Sequence, residues 1–432
     1  MAGEYVYAYP NFIGYNPTAS NFAQAVWFDL HSANFNSKPP LTLVVGEQGS
    51  GKTFTLLNLI TLNALQGACV VGIDWKGDLL PAAELSAITG FHTSRHKIEP
   101  PLEQITDPTI TPEGRDELRN RNAGILDPFI MFINDEDHEQ AKTDITVAVN
   151  AICYALAPEE MSKINIRTAI AECVSDTYGF SVKEQRTMRT FLSKLMKLGH
   201  DRGDDEIQNY AGYLQLQLAN GAGKMLAAIP GHPPKETFTV EPGITIIDLS
   251  SLPGLPKTAE DLKNPAFGVG QAIIAMLALY IRQSFTRMER NIRKTFVIDE
   301  AWAIIGNPIG GSLIDMLVRL GRSMNVAVLL GSQSFKDLFN DRTDFNSAGV
   351  STYMAFKNST KDALVGLQGM EIEDEEEQKD LASIFPHLRK GCCLMQDHQR
   401  RRGLVQHWVW DNRLAKLYNS NPNIDPNTEQ ND

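Results

Sequence analysis

Apolar residues follow two rhythms along this chain. In the first, short solid blocks stand alone: 41–45, 68–73, 243–247, 295–298 and 326–330 are rich in Val, Ile and Leu, and each runs out into glycine or aspartate. Blocks of this length, apolar on both faces, predict fully buried strands of a parallel sheet. In the second rhythm the spacing is three and four. Ile145, Val149, Ile152 and Leu156 form one such stripe and Phe191, Leu195 and Leu198 another, in a stretch without proline between Pro158 and Pro230. That period is helical, so residues from about 139 to 220 read as an all-α segment of about four helices around its own core.

The remaining pattern is weaker. Ala25-Val-Trp-Phe-Asp29 predicts a short strand inside an aromatic, Asn- and Pro-rich lead-in. Pro100, Pro101, Pro108, Pro112 and Pro128 predict an irregular excursion. Pro265 opens a predicted helix to about Arg290 with Ile273, Met276, Leu277 and Tyr280 on its buried face, and a later helix over 312–324 carries Arg319 and Arg322. Segments 391–397 and 403–410 pair as a predicted hairpin around the basic turn His398-Gln-Arg-Arg-Arg402. The acidic run 371–377 reads as the solvated start of a helix, and the tail from Asn419 as disordered. These signals divide the chain into a lead-in (1–40), an α/β core in two parts (41–134 and 233–418), an all-α insertion (135–232) and the tail (419–432).

Chemistry enters where the strand blocks end. The block at 41–45 delivers into Gly46-x-x-x-x-Gly51-Lys52-Thr53, and Phe54 continues into an apolar helical run. Gly46, Gly49 and Gly51 let the backbone turn its N–H groups, that of Ser50 included, toward phosphate oxygens at a helix N-terminus. Lys52 then reaches the β- and γ-phosphates of ATP, and the Thr53 hydroxyl ligates Mg2+. The block at 295–298 ends in Asp299-Glu300, a carboxylate to hold Mg2+ through a water and a second to orient or deprotonate the attacking water. The block at 326–330 ends in Ser332-Gln333, where the amide reaches the water or the γ-phosphate. Asp74, Lys76 and Asp78 follow the block at 68–73 and fall on the same edge; as turn and helix caps they have an equally good structural explanation.

Composition narrows the setting. Hydrophobic residues make up 43% of 432, enough for a large core, and 52 Asp+Glu against 40 Lys+Arg argues against a surface that grips nucleic acid throughout. Five cysteines without C-x-x-C spacing fit a reducing cytoplasm. The longest apolar run, 272–281, falls short of a bilayer span, so membrane association is expected through partners.

Taken together, Gly46-x-x-x-x-Gly-Lys-Thr53, Val70-x-Gly-Ile-Asp-x-Lys-Gly-Asp78, the helical insertion, Val297-Ile-Asp-Glu-Ala-Trp302, Asn325-Val-x-Val-x-x-x-x-Gln333 and Asp397-x-x-x-Arg-x-Gly403 resemble the motor half of conjugative type IV secretion ATPases. The resemblance is to the TraC and TrbE class, the fourth component of VirB-type systems, within the FtsK and HerA superfamily. It implies a RecA-like P-loop NTPase, α/β with a mostly parallel central sheet and an inserted all-α subdomain, active as a homo-hexamer. It further implies Glu300 as catalytic glutamate, Gln333 as the third motif, and Arg322 and Arg401 as arginines acting across a subunit boundary. The implied partners are other secretion components at the cytoplasmic face of the membrane, with DNA or relaxase as cargo. Two other readings remain open: a DNA translocase of the HerA or coupling-protein kind, and a nucleotide-gated assembly platform with little turnover.

Overall fold

Each solid apolar block becomes a strand. The chain lays down β1 (Asn11–Asn16), β2 (Gln24–Phe28), β3 (Leu41–Val45), helix α1 (Lys52–Leu65), β4 (Cys69–Asp74), β5 (Thr93–Lys97), β6 (Gly243–Asp248), β7 (Lys294–Ile298), β8 (Val326–Ser332), β9 (Thr352–Ala355), β10 (Cys392–Gln396) and β11 (Arg402–His407). The structure is a computed structural model, and it describes residues 11–18, 24–36, 38–100, 111–112, 114–115, 120, 122–132, 137–180, 182–231, 234, 239–252, 267–305, 308–339 and 349–419. The proline-rich excursion therefore lies largely outside the described residues, and the tail beyond Asn419 entirely so.

The strands form one sheet in the order β2-β1-β11-β10-β9-β3-β8-β7-β4-β6-β5. Its centre, β9-β3-β8-β7-β4-β6, is parallel throughout, while β10, β11, β1 and β2 extend it in antiparallel fashion. Residues of β3, β4, β6, β7 and β8 are buried without exception, the condition that lets them be apolar on both faces. Register then decides where chemistry collects. Val45 pairs with Ser332, Leu330 with Ile298, and Ile298 with Ile73, so four strands end within two residues of one another and their next residues share one rim. Ligands gather at the carboxyl ends of such strands.

The chain divides into two compact units, one of Met1–His96, Val240–Ser250 and Ser284–Asp432, the other of Lys97–Thr239 and Ser251–Gln283. The first holds the sheet. In the second, α2 (His138–Leu156), α3 (Ile164–Tyr178), α4 (Met188–Arg202) and α5 (Asp205–Ala219) realise the helical stripes, and most of α6 (Gly268–Arg287) belongs to it as well. Periodicity drew this segment at 135–232; packing groups residues 97–134 and 251–283 with it. The reason is visible in α6, buried on all sides from Ala272 to Leu279 rather than along one stripe. Asp127 ties three parts of this unit together, accepting backbone N–H bonds from Phe129 (2.9 Å), Met188 (2.8 Å) and Ala228 (2.8 Å).

Candidate functional site

The loop after β3 passes from strand to helix through a tight backbone turn. Gly51 adopts φ +105°, and a Cβ there would sit 2.8 Å from the Gly391 Cα, so only glycine fits. That contact belongs to a clasp: Gly391 N–H donates to the Ser50 carbonyl at 2.8 Å, and His407 N–H to the Gly391 carbonyl at 2.8 Å. The β10–β11 hairpin thus grips the loop from the side, which nothing in the sequence indicated. No side chain caps α1 at Gly51, so its first N–H groups remain available to an anion.

Lys52 opens α1 and ion-pairs with Asp299 Oδ1, and Thr53 Oγ1 donates to Asp299 Oδ2 at 3.2 Å. Lys52 is 6% and Asp299 2% exposed, so this is a buried charge pair with a hydroxyl on its second oxygen. Room for the carboxylate comes from Gly331 in β8, where a Cβ would lie 2.6 Å from Asp299 Oδ1. Thr53 and Asp299 are hard oxygen donors of the kind Mg2+ prefers, and among the described residues no cluster of three or more His, Cys, Asp or Glu could hold a metal alone. A cation here would complete its shell with water and phosphate oxygens. The residues fit such an ion.

Glu300 follows directly, with φ +64°, a left-handed conformation uncommon for a residue with a side chain. Its carboxylate is held on both oxygens. Oε1 accepts from Lys76 Nζ at 2.9 Å and Gln333 Nε2 at 2.7 Å, and Oε2 from Trp302 Nε1 at 2.8 Å. Burial alone would push its pKa up, yet the Lys76 bond, the Lys52 charge and the Gln333 and Trp302 bonds outweigh it and hold the carboxyl below the usual range.

Two further carboxylates shape this rim without facing the reaction. Asp74 Oδ1 accepts from the backbone N–H of Lys76 (3.1 Å), Gly77 (2.8 Å) and Asp78 (3.2 Å), and Oδ2 from that of Leu79 (2.8 Å). Asp74 is therefore the builder of a turn that presents Lys76. Burial, opposed by these bonds, raises its pKa to about 6. Asp362 plays the same part for Gln333: it accepts from Phe335 N (2.9 Å) and from Asn358 Nδ2 (2.7 Å), which also donates to the Gln333 carbonyl at 3.1 Å. Asp78 lies on the wall of the site itself, its pKa raised by burial and then by the Asp299 charge.

These groups open onto one cavity of about 680 Å³, lined by Gly49, Gly51, Lys52, Thr53, Glu300 and Gln333 among others. Gly46, Ser50 and Asp299 stand behind that wall; a Cβ on Gly46 would meet the Ser50 Oγ at 2.6 Å. Phe54, Trp408, Val409 and Tyr418 line it as well, with the Phe54 and Tyr418 rings in edge contact. Tyr418 belongs to the terminal helix (Asn412–Tyr418), which docks on α1 through a 2.6 Å bond between Tyr418 OH and Thr61 Oγ1. The pocket combines charged donors with aromatic side chains.

The two arginines expected to act across a subunit boundary are carried by turns that lie away from this cavity. Helix α7 (Pro308–Met324) returns from the Asp299 rim to the start of β8, and Arg322 lies near its end; its side chain is outside the described residues. The neighbouring Gly321 packs on Pro40, just before β3, which puts that turn of α7 at the opposite rim. Arg401 sits in the β10–β11 turn, also away from the loop, in an ion pair with Asp397 at 2.5 Å. The basic turn and the acidic run meet: Arg402 pairs with Glu377 at 2.7 Å and Arg400 with Glu371. No helix among the described residues is long and apolar enough to cross a membrane.

Comparison with known proteins places this geometry. VirB4 of Thermoanaerobacter pseudethanolicus shares the fold with a TM-score of 0.67 at 13% identity, over 93% of this chain and 97% of that one. The plasmid coupling protein TrwB, solved in complex with ADP and Mg2+, shares it with a TM-score of 0.52 at 14% identity, over 87% of each chain. Among curated proteins, the uncharacterized protein YddE of Bacillus subtilis (strain 168) is 24% identical over 243 residues, which is 56% of this chain and 28% of the length of that relative. The profile of the AAA-like domain matches residues 26–417, which takes in the sheet from β3 to β11 and every residue of the rim just described. On a RecA-like α/β fold with a mostly parallel sheet and a helical second unit, the chain belongs to the AAA-like domain family.

Proposed function

We propose that this chain is the motor part of an ATPase that powers substrate transfer or pilus assembly in a conjugative type IV secretion system. One observation carries the reading. Lys52, Thr53, Glu300 and Gln333, remote from one another along the sequence, line a single cavity with Asp299 directly behind. The fold shared with VirB4 supports it, as do TrwB structures in complex with an ATP analogue and with ADP and Mg2+.

In this reading the loop backbone and the N-terminus of α1 cradle the phosphates, and Lys52 leaves Asp299 for their oxygens. Thr53 and Asp299 would hold Mg2+, which would supply positive charge against the phosphates. Glu300 accepts a hydrogen bond from the attacking water, then its proton as the bond to the γ-phosphorus forms and the bond from that phosphorus to the β–γ bridging oxygen breaks, with ADP as the leaving group. Gln333 and Trp302 fix the carboxylate so that little reorganisation is needed. Arg322 and Arg401, at the rim opposite their own cavity, act on a neighbouring subunit's phosphates in a homo-hexamer. Recruitment to the cytoplasmic face of the membrane occurs through other secretion components.

The test is the ATPase rate per subunit against protein concentration, with and without single-stranded or duplex DNA. The expected result is turnover that rises with concentration as interfaces form. Strong stimulation by duplex DNA would select the translocase reading, with which the likeness to the plasmid coupling protein TrwB is compatible. ATP binding without turnover would select the assembly platform, and failure to bind ATP would overturn all three.

A further inference from the structure

Lys76 is a cation at the candidate site that the ATPase reading above leaves without a role. Its side chain is 48% exposed, and it lines the cavity together with Lys52, Glu300 and Gln333. One of its three N–H donors goes to Glu300 Oε1 at 2.9 Å. Only the Lys76 end of this pair is exposed, Glu300 being 5% so, and the ammonium therefore keeps a face toward the cavity. Its placement is nonetheless built: Asp74 fixes the backbone of 76–79 through four N–H bonds, and Gly77 turns at φ +90°.

Sheet order gives the direction of approach. Lys52 enters from the β3 side, whereas Lys76 stands at the end of β4, on the far side of β7 and β8, whose ends carry Glu300 and Gln333. Phosphates close to the N-terminus of α1 are within reach of Lys52. Only the outermost phosphate of a longer chain extends toward Glu300. We propose that Lys76 is a further binding residue for the terminal phosphate of a nucleoside triphosphate, bridging that phosphate and Glu300 and so distinguishing triphosphate from diphosphate. An ammonium is well suited to such bridging, because a compact charge on a flexible stem can keep one bond to a carboxylate and give another to an oxyanion.

The inference rests on the nucleotide-binding reading, and one experiment separates their failures. Equilibrium binding of a non-hydrolysable ATP analogue and of ADP, each with Mg2+, is measured for the wild-type chain, Lys76→Met and Lys76→Arg. Expected for Lys76→Met is a loss of about tenfold in analogue affinity with ADP affinity within about twofold of wild type, and Lys76→Arg recovering most of the loss. Analogue and ADP affinities that stay unchanged, or that fall together, would overturn the role of Lys76 while leaving nucleotide binding intact. A wild-type chain that binds neither nucleotide would overturn the nucleotide reading itself.

Discussion

Two lysines are buried at opposite rims of the same sheet, and they differ in what surrounds the ammonium. Lys294, at the start of β7, donates to the carbonyls of Glu289 (2.7 Å), Ile292 (3.1 Å) and Met324 (2.9 Å), three acceptors for three donors. The Met324 carbonyl ends α7, where the helix dipole is negative and favours a cation. Burial still holds the Lys294 pKa below its usual value. Lys52, by contrast, has Asp299 as its one partner among the described residues and stands on a cavity wall. A saturated ammonium is a fastening. An ammonium with donors to spare beside a cavity is a receptor for an anion.

Substitution should separate the two. Lys52→Ala is expected to lower ATP turnover roughly a thousandfold, the scale of removing a principal charge-stabilising group. Thermal melting without nucleotide should also fall, because the buried Asp299 carboxylate loses its counter-charge. A steady-state ATPase assay beside a melting curve checks both, and retained turnover would break the contrast. Lys294→Met should act on stability alone. Stranding three carbonyls costs roughly 3 kcal/mol or more, read as a drop in denaturation midpoint, while the affinity for an ATP analogue stays near wild type. If Lys294→Met instead left stability intact and impaired nucleotide binding, the two rims would not have the separate duties assigned to them. The smallest effect is expected at Trp302→Phe, which removes one of three donors to Glu300 and should slow turnover by roughly fivefold at unchanged analogue affinity. Single-turnover kinetics would resolve it.

How much of this could be read from the chain depended on how local each signal was. The glycine loop, Asp299-Glu300 and Gln333 announce themselves because each sits immediately after a solid apolar block, and parallel register brings such block ends to one rim. The two carboxylate-built turns were harder. Asp74 could cap a turn or serve the site, and its four backbone bonds decide for the turn. Strand β5, Thr-Ser-Arg-His-Lys, escaped detection because an edge strand can be held by its backbone with no apolar alternation.

Long-range pairings left no trace at all in the order of residues. The grip of Gly391 on the glycine loop, the Lys76–Glu300 bond and the carbonyl nest around Lys294 each join segments far apart in the chain, and only the folded sheet makes them neighbours. The same holds for Arg322 and Arg401. Spacing could suggest phosphate-directed arginines, but it could not reveal that the turns carrying them lie at the rim away from their own cavity.

The central claim is that Lys52, Asp299 and Glu300 serve one triphosphate in divided roles, binding on one side and water activation on the other. Its most direct test is Glu300→Gln, measured for ATP binding and phosphate release on the same preparation. The expected result is near wild-type ATP affinity with release slowed about a hundredfold or more. Wild-type release from Glu300→Gln, or loss of binding and turnover in equal measure, would contradict it.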